Sequence, residues 1–343
     1  MRRLWSHMRA LWPHWTLLPA APFVVWSLAM LARGPLRWEL VGVLLAAPAL
    51  AYTSGGTKRL LVGVYPVGLV GLLYDAMRYV KHVGVTPARV HTCDLRDLDA
   101  RIFGVVANGD KTSICDWFIN HRSTALDVIS AIPYGVFIFA VLGYATFLYV
   151  RAPSGLRRFA WAFLFLNVAG FVTYHLYPAA PPWYVHRYGC VANLAAPASA
   201  GPALLHVDAM LGVSYFEGFY GRSNDVFGAV PSLHVGYPLL ILLEGWARHG
   251  RVGRSLTFLF LGTMCFAAVY LDHHWVVDVV LGLAYTTAAY ALARRLFPAP
   301  ARAVHAPRRA GAQKSCPAAK YPPTGRASGD HARSARTTND LPS

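Results

Sequence analysis

With 343 residues, 55% of them apolar and only 14% charged, the chain lacks the polar fraction of a soluble domain, where about a quarter of residues carry charge. Its formal charge of +16 is spread over short connectors and a basic tail, not set among aromatics on a recognition element, which excludes nucleic acid as a partner. Five cysteines (Cys93, Cys115, Cys190, Cys265, Cys316) form no CxxC pair and no zinc-type spacing, so no metal site is expected.

A bilayer-spanning helix needs about 20 mainly apolar residues. Candidates run over 15–32, 38–52, 60–79, 125–150, 157–177, 231–247, 254–272 and 274–296. The second is short enough to be tilted or re-entrant, so the expected fold is an all-α, polytopic membrane bundle of about six to eight helices. The first candidate follows Arg2, Arg3 and Arg9 without a small-residue cleavage site, and is read as a membrane anchor instead of a signal peptide. Lys58 and Arg59, then Arg151, Arg157 and Arg158, then Arg248, Arg251 and Arg254 lie in short connectors, and Arg294 and Arg295 close the last segment. With eight spans, all of these fall on the cytoplasmic side. Loops 80–124 and 178–230, and the turn at Asp272–His274, then fall outside. Cys93 can pair with Cys115 across one outer loop, Cys190 can pair with either, and free thiols are equally open. The division expected is membrane anchor helices over 1–59, a catalytic membrane domain over 60–296 and a basic tail over 297–343. The tail is rich in Pro, Ala and Arg, nearly lacks large apolar residues, and is expected to be disordered on the cytoplasmic side.

Two stretches carry the chemistry: Gly228-Ala229-Val230-Pro231-Ser232-Leu233-His234, and Tyr270 through Asp278. Between them the chain crosses and returns, so His234 and His274 reach the same depth near the outer face. His274 and Asp278 stand four apart, which on a helix lets the carboxylate orient the imidazole. Pro231 suits a first helical turn, and Ser232 with free N–H groups beside it makes an anion cradle. Neutral His274 would attack phosphorus, and His234 would protonate the leaving oxygen. His273 points about 100° from His274 on a helix and reads as a gatekeeper or substrate contact. Asp272, His273, His274 and Asp278 also offer zinc ligands, but without HExxH-type spacing.

These residues resemble a known family. Pro231-Ser232-Leu233-His234 and His274-Trp275-Val276-Val277-Asp278 look like two signatures of the type 2 phosphatidic acid phosphatase superfamily. The resemblance implies a six-helix core, a reaction without metal or other cofactor, and the roles just given to His234, His274 and Asp278. Tyr177-Pro178-Ala179-Ala180-Pro181-Pro182-Trp183-Tyr184, Tyr188-Gly189, Asn224 through His234 and Tyr74-Asp75-Ala76-Met77-Arg78-Tyr79 resemble the inositol phosphorylceramide synthase branch; Asp97–Phe103 fits less sharply. Ala267 and Ala268 stand where the phosphatases carry a Ser-Arg pair, which favours transfer over hydrolysis. Phosphate charge is then expected to fall to Arg222, with Arg187 and Arg78 behind it; each also reads as a snorkelling arginine. Trp183 and Tyr184 are expected at the headgroup or acceptor site, or as interface anchors. The implied function is transfer of a phosphoinositol-type headgroup from a glycerophospholipid to ceramide or a similar lipid alcohol. A lipid phosphate phosphatase is the alternative, and a phosphate-lipid transporter a third. Membrane lipids are the expected partners, and the active site should lie on the extracytoplasmic face: outside the inner membrane of a bacterium, or lumenal in a eukaryote.

Overall fold

The computed structural model describes residues 2–298 apart from His82 and Asn108, so the expected disordered tail lies outside the described residues. The order is α1 (Arg2–Leu11), α2 (Ala21–Arg33), α3 (Trp38–Tyr52), α4 (Gly55–Val80), α5 (Cys93–Phe103), β1 (Val105–Ala107), β2 (Asp110–Thr112), α6 (Ile114–Ile119) and α7 (Thr124–Arg151). Then follow α8 (Pro153–Leu176), α9 (Pro182–Tyr188), α10 (Gly201–Leu211), α11 (Tyr215–Tyr220), α12 (Leu233–Gly245), α13 (Arg251–Tyr270) and α14 (Val276–Leu296). Among the described residues the fold is all-α but for one antiparallel hairpin, Val105 opposite Thr112.

Each of the eight apolar segments is a helix. Five of them, α4, α7, α8, α13 and α14, are long and apolar enough to cross a membrane; α2, α3 and α12 are shorter. Local signals set the boundaries. Ser54 and Thr57 form a reciprocal capping box at the start of α4. The Ser123 hydroxyl accepts the Leu126 N–H at the start of α7, and Pro153 opens α8, where its missing N–H costs nothing. The first span begins at Ala21, not at 15, because the residues before it form turns and a separate helix, α1. On α1, Leu4, Met8 and Leu11 share one side, with Arg2 and Arg9 opposite.

Helix α8 packs against α4, α12 and α14, while α12 lies between α13 and α14, and α7 closes on α13. These are the six helices of the expected core; α3 covers α4 from outside and α2 packs on α3. At one end, Arg151, Arg248 and Arg251 lie in or beside the short connectors after α7 and α12. There the buried Glu244 carboxylate accepts from Arg158 Nε and Nη2 at 3.1 and 2.7 Å and from Tyr290 Oη at 3.1 Å, and it forms an ion pair with Arg248 Nη1, which donates to Glu244 O at 2.7 Å.

At the other end the two long loops knit together. His91 N–H donates to Pro178 O, Ala180 N–H to His91 O, Ala179 N–H to Phe227 O, and Ala229 N–H to Ala179 O, at 2.7–3.2 Å. Cys93 and Cys190 form a disulfide across the same two loops. That selects one of the pairings the sequence left open, and Cys115 remains a buried thiol. At 6 to 11 residues, the loop helices α5, α6, α9, α10 and α11 are too short to stand out as spans in the sequence.

Candidate active site

His234 sits in the first turn of α12, and His274 in the turn 271–275 between α13 and α14. The expected common helix face for His274 and Asp278 is corrected: α14 begins only at Val276. Asp278 Oδ2 instead accepts the Trp275 N–H at 2.9 Å and lies 3.6 Å from His274 Nδ1. A nearer acceptor for Nδ1 is the Ala229 carbonyl, at 3.0 Å. It is a backbone atom, and no residue pattern announces it.

The other ring nitrogen, His274 Nε2, lies 3.0 Å from His234 Nδ1. With the Nδ1 proton of His274 given to Ala229 O, Nε2 keeps a lone pair, and His234 must present its proton on Nδ1. Burial holds His274 and His273 down at about 4, so both are neutral at pH 7. A neutral His274 thus has a lone pair on Nε2 without first losing a proton. His234 stacks on Tyr134, with centroids 4.6 Å apart and planes at 14°, and packs against Phe137 at 4.9 Å.

The start of α12 also differs from expectation. The helix begins at Leu233, with Val230–Pro231 a cis peptide just before it. Ser232 is wholly buried; its N–H donates to Asp278 O at 3.0 Å, and its hydroxyl has no partner. It locks the two histidine-bearing segments together and offers no free N–H to an anion. This close approach needs Gly282: a Cβ there would lie 2.3 Å from Ser232 O. Gly282→Ala is expected to cost about 1–3 kcal/mol of stability by overpacking and to lower turnover about tenfold or more through misalignment. Gly262→Ala, whose Cβ meets nothing within 4 Å, should leave both near wild type; thermal unfolding in detergent and an activity assay check the pair.

A cavity of about 100 Å³ opens over the histidines, lined among others by His234, His273, His274, Trp183, Tyr220 and Asp225. Of the residues expected there, Trp183 and His273 are present, and His273 Nε2 bonds to Ala200 O at 2.8 Å. Tyr184 is buried behind the wall, donating to Val191 O at 3.1 Å and accepting the Asn193 N–H at 2.7 Å. Arg78 pairs with Asp75 at 2.9 Å, Arg187 lies over the Tyr188 ring, and Arg222 is exposed; none of the three lines the cavity. No lysine or arginine does so among the described residues. Asp225, Ser199 and Ser223 line it without having been singled out. Asp225 stands in the Asn224–His234 stretch, which was its only signal. Asp99 of α5, likewise not foreseen, accepts the Val277 N–H at 2.9 Å and caps the helix bearing Asp278.

Two histidines are thus in contact at one end of a membrane bundle, one of them backed by a carbonyl and a carboxylate. The PAP2 superfamily model matches residues 110–292, just over half of the chain, and the chain belongs to that superfamily. It is 34% identical over 231 residues to the phosphoinositol dihydroceramide synthase of Bacteroides thetaiotaomicron, covering 66% of this chain and 74% of that protein. It is 32% identical over 176 residues to the inositol phosphorylceramide synthase catalytic subunit aur1 of Schizosaccharomyces pombe, covering 50% and 41%. The corresponding catalytic subunit AUR1 of Saccharomyces cerevisiae is 33% identical over 177 residues, covering 51% and 43%. The chain thus spans less than half the length of these two fungal relatives. No solved structure shows significant similarity to it.

Proposed function

We propose that this protein transfers a phosphoinositol headgroup from a glycerophospholipid to ceramide or a similar lipid alcohol, through a phosphohistidine on His274. The observation that carries the reading is the ordered pair: His274 Nε2 lies 3.0 Å from His234 Nδ1, while its Nδ1 lies 3.0 Å from Ala229 O. A donor phosphate entering the cavity breaks the contact between the rings. The freed Nε2 lone pair attacks phosphorus, and as the P–N bond forms the P–O bond to diacylglycerol breaks. The proton on His234 passes to the departing oxygen. In the second half, His234 takes the proton of the acceptor hydroxyl as that oxygen displaces His274 from phosphorus. Asp278, at 3.6 Å, stabilises the His274 ring as it gains positive character.

The relatives' names supply the headgroup and the acceptor class. A cavity whose walls lack lysine and arginine suits a phosphodiester, with its single negative charge, better than a doubly charged monoester. Two features support an extracytoplasmic site. The arginines of the short connectors after α7 and α12 lie at the opposite end of the bundle, and the Cys93–Cys190 disulfide lies at the site end, as an oxidising compartment permits. Purified protein in phosphatidylcholine bilayers, given labelled phosphatidylinositol and ceramide, should yield labelled inositol phosphorylceramide and diacylglycerol in equal amounts. Release of phosphate from phosphatidate, with no ceramide-bearing product, would overturn the transferase reading.

A further inference from the structure

The turn that carries His273 and His274 is steadied from outside the cavity. Asp272 opens it in the left-handed region, at φ 70°, a conformation that costs a non-glycine residue about 1 kcal/mol. Two contacts from α9 hold it there. Trp183 N–H donates to Asp272 O at 2.9 Å, and His186 Nδ1 donates to Asp272 Oδ2 at 2.8 Å. His186 reaches further, its Nε2 donating to Asp116 Oδ1 of α6 at 2.6 Å. Asp116 Oδ2 in turn accepts from Arg96 Nε of α5 at 2.9 Å. On the far side, Arg122 Nη2 lies 3.9 Å from Asp272 Oδ2. The signs alternate along this chain: Arg96, Asp116, His186, Asp272, Arg122. An imidazole with a carboxylate oxygen on each nitrogen donates from both, and so is an imidazolium.

We propose that His186 is a positioning residue of the transfer reaction, holding Asp272, and through it His273 and His274, in register with His234. This rests on the phosphotransferase reading above. The alternative, a purely structural tie between loops, is already served on the same segment by the Cys93–Cys190 disulfide at the end of α9. What His186 adds is a bond to the residue adjoining the histidine pair. Aromatic packing completes its surroundings: the Trp275 ring lies 6.3 Å away, edge-on.

The latch carries a pH dependence. Burial pulls His186 down, but the hydrogen bonds and charges of Asp116 and Asp272 outweigh it and raise it to about 9. Asp116 is pulled the other way, to about 2: burial opposes the shift, and His186 and Arg96 outweigh it. The folded value of His186 lies above its ordinary 6.5. The tie is therefore complete below about 6.5 and is lost as pH rises through about 9. The groups facing it are Asp116 and Asp272, with Arg96 and Arg122 beyond. The neighbouring Cys115 thiol is pushed well up by burial and stays protonated.

The test uses the full-length protein in phosphatidylcholine bilayers. His186→Asn is expected to lower kcat on the order of tenfold to a hundredfold, with KM for both lipids changed less than about twofold. It should also remove the fall in activity near pH 9. Asp116→Asn keeps the bond to Asp272 but removes one charge, and should move that fall down by about one pH unit. Hydrogen exchange gives a readout independent of turnover: amides of residues 271–275 should lose protection in His186→Asn, and in the wild type above about pH 9. Unchanged exchange, or a wild-type kcat and pH profile in His186→Asn, overturns the proposal; if that variant does not fold, an unmoved alkaline limb in Asp116→Asn does so. A wild type that makes no ceramide-bearing product sinks the transferase reading alone, and exchange then still decides the latch.

Discussion

His274→Ala should lose headgroup transfer by at least about 10⁴-fold, the scale on which removal of a covalent nucleophile acts, and should trap no phosphorylated intermediate. Neither neighbouring histidine is placed to substitute. His273 Nε2 is bonded to Ala200 O, and His234 presents Nδ1 toward the nitrogen that would be lost. His234→Ala should behave differently. It leaves the nucleophile but removes the proton carrier, so both half-reactions slow by about 10²–10⁴-fold. A rapid quench with labelled phosphatidylinositol and no acceptor separates the two variants, since only His234→Ala can still accumulate acid-labile label on the protein. Label of undiminished amount on His274→Ala would mean that another residue is the nucleophile, and the assigned roles would fall together.

Glu244→Ala should be the most destabilising single change at the opposite end of the bundle. Its carboxylate is 1% exposed and serves two arginines and a tyrosine at once. Arg158, itself 5% exposed, would be left as a buried charge without a counter-ion. Breaking a buried pair from one side costs about 3–5 kcal/mol, read as a drop in thermal unfolding temperature in detergent. The double variant Arg158→Met/Glu244→Leu should recover most of that loss, because no lone charge remains inside. Arg248 is half-exposed and can turn its guanidinium to the interface. A single variant as stable as wild type would show that water or lipid headgroups already satisfy the cluster.

Much of this arrangement is legible in the sequence because lipid leaves so few choices. Apolar length gave the helices, and a chain that runs out along α12 and back along α13 brings His234 and His274 to one end. Their proposed roles rest on the resemblance carried by Pro231–His234 and His274–Asp278. What the residues could not reveal falls into two kinds. Backbone partners are invisible to pattern: the Ala229 carbonyl on His274, and the Asp278 carbonyl that occupies the Ser232 N–H, depend on where loops end up. Contacts between distant loops are invisible for the same reason. Asp99 on Val277 and His186 between Asp116 and Asp272 join residues 70–178 positions apart, with no periodicity to mark them. The arginines misled because charge alone cannot say whether a guanidinium already has a partner, as Arg78 has in Asp75.

Helix α12, 13 residues long, has one further consequence. At 1.5 Å per residue it extends about 20 Å, against a hydrocarbon core about 30 Å thick. The end that carries His234 is thus expected either to sit beneath the plane of the headgroups or to be matched by a local dimple in the bilayer. In both cases the scissile bond of a donor and the hydroxyl of an acceptor meet the histidines while their tails stay in lipid. Hydrophobic mismatch thereby becomes a kinetic variable, with the acyl-chain length of the surrounding membrane setting how far each substrate must rise or sink to react.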